Sequence, residues 1–339
     1  MELSSPVEVL DEAGKPGNFG WARSPLFNYD PSKIRSSRRF VSESDRYILI
    51  SPSHLIIMEI MDHGYLGYAG ISVVSLKDKK RSTQYYRVPL SMGSLGLSPQ
   101  AETGSARFRQ KKSMLDFAAM ESGARIIRAD IPKFGHHRVL RGEIVLTPAP
   151  GAESIVTNMP WRREKNAFRF SRRSPWYTAE GVIQFGAAEL FFTQGRGWGI
   201  FDWSREIRPG QDLRYWAAAA GVSKGQSVGF SVGYGTADSS EGTENAFFLN
   251  GKLHKLDQVS FHISPADWLE PWRFTSNDNR LEMAFRPHQE RFENHGFFFH
   301  SLKRRQVCGS FTGQVILDDG STFDFQNITG LAERRSSRF

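Results

Sequence analysis

Short apolar runs, broken by turn residues, recur along this chain. RYILIS and HLIIMEIM are joined by Ser51-Pro52-Ser53, YLGYAGISVVSL follows Asp62-His63-Gly64, and Asp78-Lys79-Lys80 leads into STQYYRVPL. Runs of this kind at about ten-residue spacing predict a meander of β-hairpins, as in a sandwich or barrel. Residues 89–105, PLSMGSLGLSPQAETGS, form a Gly/Ser/Pro loop, and ARFRQ is a short strand. In KKSMLDFAAMESG, Met114, Leu115 and Ala118 stand at helical spacing with Gly123 as the stop, which predicts one helical piece. Strands resume at ARIIRADIPK and at VLRGEIVLTPAP, where Leu140, Gly142, Ile144 and Leu146 share one side.

PAPGAE at 148–153 breaks the pattern, which returns at VIQFG and AAELFFTQG. LRYWAAAAG has helix-favouring residues, but it is short and bracketed by Pro209-Gly210 and Gly221, so it reads as a strand. QSVGFSVGYGT places Gly between larger residues, as on a curved barrel strand. Asn250-Gly251 and Asp319-Gly320 are hairpin turns. ADWLEPWRFTS reads as a helical turn followed by a strand. The result is an all-β chain: an extended lead-in over 1–40, two barrel-sized halves over 41–178 and 179–333, and a frayed tail, 334–339.

Composition supports this division. The chain has 339 residues with 39% hydrophobic and 13% aromatic content, enough for two packed cores, and its 26 Phe and 31 Gly favour strands and turns. Its one cysteine, Cys308, excludes an intrachain disulfide. With no secretory signal and no apolar run long enough to span a bilayer, a cytoplasmic location is expected. The net charge is +8, and the densest basic cluster, 162–173, sets Arg162, Arg163, Lys165, Arg169, Arg172 and Arg173 against Glu164. No RNP signature, zinc-finger spacing or basic amphipathic helix accompanies it, so nucleic acid is not an expected partner. Solvated loops and strand edges are the favoured explanation, and a weak contact of 162–173 with anionic lipid is the alternative.

The segment 181–333 carries Gly181 with Phe185-Gly186, the run GWGIFDW, Trp216, Asn250-Gly251, Pro271-Trp272, LEMAFRP, and Gly309, Gly313, Gly320 and Gly330. With NFGWARSP at 18–25, these resemble a bacterial and fungal family, domain of unknown function 2804. More distantly they are similar to the tandem-lipocalin proteins that include carotenoid 1,2-hydratase and AttH-type proteins. The resemblance implies two lipocalin-like, calycin-type antiparallel β-barrels in tandem. In the distant relatives a Trp-x-Asp followed by His marks this stretch. Here the order is Phe201-Asp202-Trp203-Ser204 and the His is absent.

The candidate chemistry centres on 195–221, which holds Trp198, Trp203 and Trp216 around Asp202 and Arg205. In an apolar interior a carboxylic acid retains its proton, so Asp202 is a candidate acid for protonating a double bond, with the tryptophan faces stabilising the cation that results. The structural alternative pairs Asp202 with Arg205 or Arg208. Glu244 and Asn245 follow the polar loop TADSSEGT, and Glu244 with Asp202 would supply the two carboxyls of a glycoside-cleaving site. Seven of the eight tryptophans, Trp272 among them, lie in 161–272, as a ligand cavity or plain core. The histidines have no metal spacing, with His136 and His137 facing opposite ways on a strand, and no glycine motif suits a nucleotide, so neither metal nor cofactor is expected. Three functions remain open. One is binding of an apolar, lipid- or isoprenoid-like molecule in a barrel cavity, with cofactor-free hydration or isomerisation. The others are a carbohydrate-active enzyme using paired carboxylates and a non-catalytic binding or scaffold protein.

Overall fold

A computed structural model describes residues 1–136, 138–161, 164–235, 237–297 and 300–338. The chain is 65% strand and 2% helical, with one nearly closed barrel sheet and one half-barrel sheet, so the all-β, lipocalin-like expectation is met. Two compact units are present: Ser36–Pro150 with Tyr177–Arg205, and Met1–Arg35 with Gly151–Trp176 and Glu206–Phe339. They are interleaved in sequence and do not divide at 178/179. The cause is a single strand, Glu164–Phe185, which belongs to one unit in its first part and to the other in its second. Residues 178–185 pair with Leu140–Thr147, and Ala188–Phe192 folds back on 181–185, so this stretch joins the unit of residues 36–150. Residues 168–173 pair instead with 155–160.

In the first sheet the strand order is Arg81–Pro89, Leu66–Ser75, His54–Asp62, Val41–Ile50, Trp198–Ile207, Glu164–Phe185, Arg138–Thr147, Arg125–Phe134, Ser113–Ala119 and Ala106–Gln110. Val41–Ile50 is buried on both faces. The two edge strands are joined through Tyr86, whose ring lies 5.6 Å from that of Phe108 and whose hydroxyl donates to Ser113 Oγ at 2.9 Å. A Cβ at Gly181 would stand 2.2 Å from the Glu143 carbonyl, so only glycine fits where these strands cross.

The second sheet runs Lys252–Lys255, Ala246–Leu249, Gln226–Gly235, Gln211–Ser223, Thr322–Arg338, His300–Ile316, Leu281–Phe297, Trp272–Ser276 and Val259–His262. Its core alternates along each strand: Ala217 and Ala219, then Val228, Phe230 and Val232, face Phe274, Phe285, Phe311 and Phe325. Phe285 and Phe311 stack at 4.3 Å, and Phe230 meets Phe311 edge-on at 4.9 Å. Ala217–Ala220 is a strand, as expected, but it continues through Gly221 to Ser223, so Gly221 does not end it.

Three local expectations are corrected. Residues 113–119 are a strand, not a helix, because Met114–Ala119 pairs residue by residue with 125–130. Bends and a turn, not a helical turn, precede Trp272–Ser276. Residues 334–338 are not frayed: they pair on both sides, with 211–215 and 301–305. The basic cluster is only partly described, since Arg162 and Arg163 lie outside the described residues, as does His137. Arg169 and Arg173 are 2% and 0% exposed, so these two point into the protein and are not part of a solvated face. No described helix is long and apolar enough to cross a membrane.

Candidate functional site

The strand Trp198–Ile207 is buried at every position but Ser204. Asp202 does not pair with Arg205. Its Oδ2 accepts from Nε and Nη2 of Arg46, at 3.0 and 2.7 Å, both residues being buried. One guanidinium edge on one carboxylate oxygen is a charge-assisted ion pair, which does not present a free proton. Arg205 donates to Asp45 Oδ1 at 2.8 Å and to the carbonyls of Ser44 and Ser98, and its guanidinium lies 4.4 Å from the Trp203 ring centroid. Trp198 and Trp203 are 7% and 1% exposed. This stretch is a packed wall tied together by ion pairs.

Glu244 has a different setting. A cavity of about 440 Å³ is walled by Met159, Tyr234, Val259 and Phe261 on its apolar side. Its polar side includes Arg169, Asp212, Arg214, Glu244, Asn245 and Gln258. The strand Gln211–Ser223 carries Asp212 and Arg214 two residues apart, so period-two alternation turns both to one face. Glu244 Oε2 accepts from Arg173 Nη1 at 2.6 Å, and its Oε1 from Arg214 Nη2 at 2.9 Å. Burial pushes the Glu244 carboxyl up, but Arg173, Arg214 and Arg169 outweigh it and hold it below its usual value. Arg169 extends the network, bonding Glu206 at 2.8 Å and approaching Asp212 at 3.6 Å. Glu206 is likewise pushed up by burial, yet Arg169 and Arg335 bring it down to about 2. Asn245 fixes the loop: its Oδ1 accepts from the Gly233 amide at 2.6 Å and its Nδ2 donates to the Asp257 carbonyl at 2.7 Å.

The residues expected from sequence therefore separate. Glu244 and Asn245 line the cavity. Asp202, Trp198, Trp203 and Arg205 belong to the other unit and do not line it. Trp216 is fully buried, donating Nε1–H to Ser231 Oγ at 3.0 Å, and Trp272 sits in the barrel core, donating to the Trp268 carbonyl. The sequence reading missed Arg169, Arg173, Arg214, Tyr234 and Phe261. The signal was available in Arg169-Phe170-Ser171-Arg172-Arg173, where polar residues recur at i, i+2 and i+4 on a strand. Among the described residues no cluster of His, Cys, Asp and Glu suits a metal ion, and Cys308 is fully buried core.

Two such barrel sheets define a lipocalin-like type of architecture. The chain belongs to the family described as Domain of unknown function (DUF2804), which matches residues 1–339. No curated protein is similar to it in sequence. Among solved structures it is similar to CghA, solved with Sch210972, at 12% identity and a TM-score of 0.56 over 89% of each chain. It is also similar to an AttH-like protein, NE1406 of Nitrosomonas europaea, at 12% identity and a TM-score of 0.52 over 87% of this chain and 92% of that one. Kievitone hydratase from Nectria haematococca aligns over 88% of each chain at 8% identity and a TM-score of 0.48. At these identities the likeness is one of fold.

Proposed function

We propose that this protein binds a small, largely apolar molecule with one polar end, and that the cavity beside the second sheet holds it. One observation carries the reading. About 440 Å³ is lined by the apolar side chains of Met159, Tyr234, Val259 and Phe261 together with a larger polar set, in which Arg169, Asp212, Arg214, Glu244 and Asn245 are held by ion pairs or hydrogen bonds. Ligand pockets span roughly 300–1,000 Å³ and combine an apolar lining with a few polar groups that set orientation. Burial of the ligand body against the rings would supply affinity, and Arg214 and Asn245 would select its polar end. The reading is of binding without turnover. Glu244 is not placed to act as the acid of a hydration or isomerisation, since the arginines hold it below its usual value. Glycoside cleavage needs two carboxyls facing one bond, whereas Asp212 and Glu244, the cavity's two carboxylates, are each engaged by arginine.

The test is native mass spectrometry of freshly purified protein, with solvent extraction of whatever it retains. A co-purifying apolar molecule that is lost in Phe261→Ala and Tyr234→Ala, with the fold intact by circular dichroism, supports the reading. A clean apo mass, with no thermal stabilisation by fatty acids or isoprenoid alcohols, would overturn it.

A further inference from the structure

A second site is written into the unit of residues 36–150 and 177–205. Arg125, on the strand Arg125–Phe134, is 2% exposed. Its guanidinium lies 3.8 Å from the ring centroid of Phe201. Nη1 donates to the Tyr47 hydroxyl at 3.2 Å, Nε to the Tyr177 hydroxyl at 3.3 Å, and Nη2 to the carbonyl of Ala101. Among the described residues no carboxylate comes within ion-pair distance of it, whereas the buried arginines at 46, 169, 173, 205, 214 and 304, six of the seven others, each hold one. Nor does the Tyr47 phenol supply a negative charge, since burial pushes it well above its ordinary value. Burial disfavours the Arg125 charge, and Tyr47 and Tyr177 outweigh that and hold the group above its ordinary value, so the site keeps a buried cation on neutral partners with no carboxylate beside it.

The surroundings show where an anion would sit. Tyr47 stacks on Phe201 at 5.0 Å and meets Phe117 edge-on at 4.8 Å, so the guanidinium stands in a nest of rings. Over it lies the loop between the strands ending at Pro89 and starting at Ala106. Leu97 and Ala101 of that loop are buried, at 5% and 4% exposure. Its carbonyls are what the arginines hold: Ala101 by Arg125, and Ser98 by Arg205 at 3.0 Å. Gly96 and Gly104 flank this part, and Gly96 has φ +61 with open space around its Cβ position. A backbone carbonyl is a neutral acceptor in a place where a carboxylate oxygen would bind a guanidinium more strongly.

We propose that residues 97–105 plug a carboxylate site whose cation is Arg125 and whose walls are Tyr47, Phe117, Tyr177 and Phe201, and that the ligand is an aromatic carboxylic acid. On binding, its carboxylate replaces the Ala101 carbonyl and its ring takes the space vacated by Leu97 and Ala101. This site shares no residue with the 440 Å³ cavity and does not depend on the binding reading given to it.

The experiment is calorimetric titration of the full chain with cinnamate and, separately, with methyl cinnamate. Cinnamate is expected to bind at least about tenfold more tightly than the ester, the scale of one charge-assisted hydrogen bond. Leu97→Ala, which loosens the plug, should tighten cinnamate several-fold by raising the open population. Arg125→Gln should abolish cinnamate binding. Arg125→Lys, which keeps the charge and loses the fork, should weaken it about tenfold and decides the matter if Arg125→Gln fails to fold. Arg214→Gln should leave unchanged the cinnamate-binding event that Arg125→Gln removes, any cinnamate held by the other cavity appearing as a separate event. Absence of cinnamate binding in both the wild type and Leu97→Ala would overturn the proposal, as would equal affinity for acid and ester. Loss of binding in Arg214→Gln but not in either Arg125 variant would assign the acid to the other cavity, removing this site and leaving the proposed function standing.

Discussion

Asp202 and Glu244 show how much a carboxylate's role depends on which arginine reaches it. Arg46 and Asp202 are 156 residues apart and meet because Val41–Ile50 and Trp198–Ile207 are neighbours in the first sheet. Breaking a buried pair leaves one charge without compensation and costs about 3–5 kcal/mol. Asp202→Ala is therefore expected to destabilise the protein by about that amount in urea unfolding, while leaving occupancy of the cavity unchanged at temperatures where the variant is folded. If Asp202 acts as a proton donor to the ligand, the opposite follows: near-native stability with ligand handling lost. The partner was illegible in the sequence because proximity along the chain offered Arg205 and Arg208, and nothing local distinguishes Arg46 from either. Arg205 proves to be the mate of Asp45, another long-range pairing.

At the scale of the element, the clearest signals were the turns. Asn250 and Gly251 have φ +50 and +78 between strands that pair Leu249 with Lys252, the two-residue hairpin their identities announce. Gly251→Ala places a Cβ in left-handed backbone, and a loss of about 1 kcal/mol in chemical unfolding is expected. Asn250→Gly should cost far less. A loss for Gly251→Ala no greater than for Asn250→Gly would show that the turn does not specify the hairpin. Where the sequence misled, the cause was pairing that local spacing does not encode. Met114, Leu115 and Ala118 satisfy a helical period, but the strand 125–130 supplies partners for every residue from 114 to 119 and overrides that preference. The tail 334–338 looked frayed because Arg-Arg-Ser-Ser-Arg has no apolar residue. It is held because Arg335 and Ser337 turn inward, Arg335 lying 3.9 Å from Glu206.

Across the whole molecule, the +8 charge says less than where the charges are placed. Arginines and carboxylates interlace within the unit of Glu206, Glu244 and Lys255, and this sets its response to pH. Glu206 falls from 4.5 to about 2 because Arg169 and Arg335 overcome its desolvation. The unfolded chain then binds the extra proton between those values, so this stabilisation is complete above pH 4.5 and is lost as pH falls towards 2. Lys255 has the opposite chemistry. Burial brings it from 10.5 down to about 7, against the pull of Asp257, Asp278 and Glu244 and with the help of Arg280. Between pH 7 and 10.5 the unfolded chain is again the more protonated state, so stability is expected to rise with pH over that range. Unfolding free energies measured across pH should show both climbs, the lower one absent in Glu206→Gln and the upper one absent in Lys255→Met. A stability flat from pH 7 to 10 in the wild type would remove Lys255 from this account.

The strand Glu164–Phe185, divided between two units, also dictates an order of events during synthesis. All the pieces of one unit have emerged once Arg205 has left the ribosome. The other needs Met1–Arg35 together with Glu206–Phe339, so residues 1–35 must wait for those that follow 205. Throughout that interval Gly151–Trp176, the segment bearing Arg169 and Arg173, is a tethered and half-partnered ribbon. The nascent chain is thus most exposed to misassembly and chaperone capture while the residues after 205 are being made.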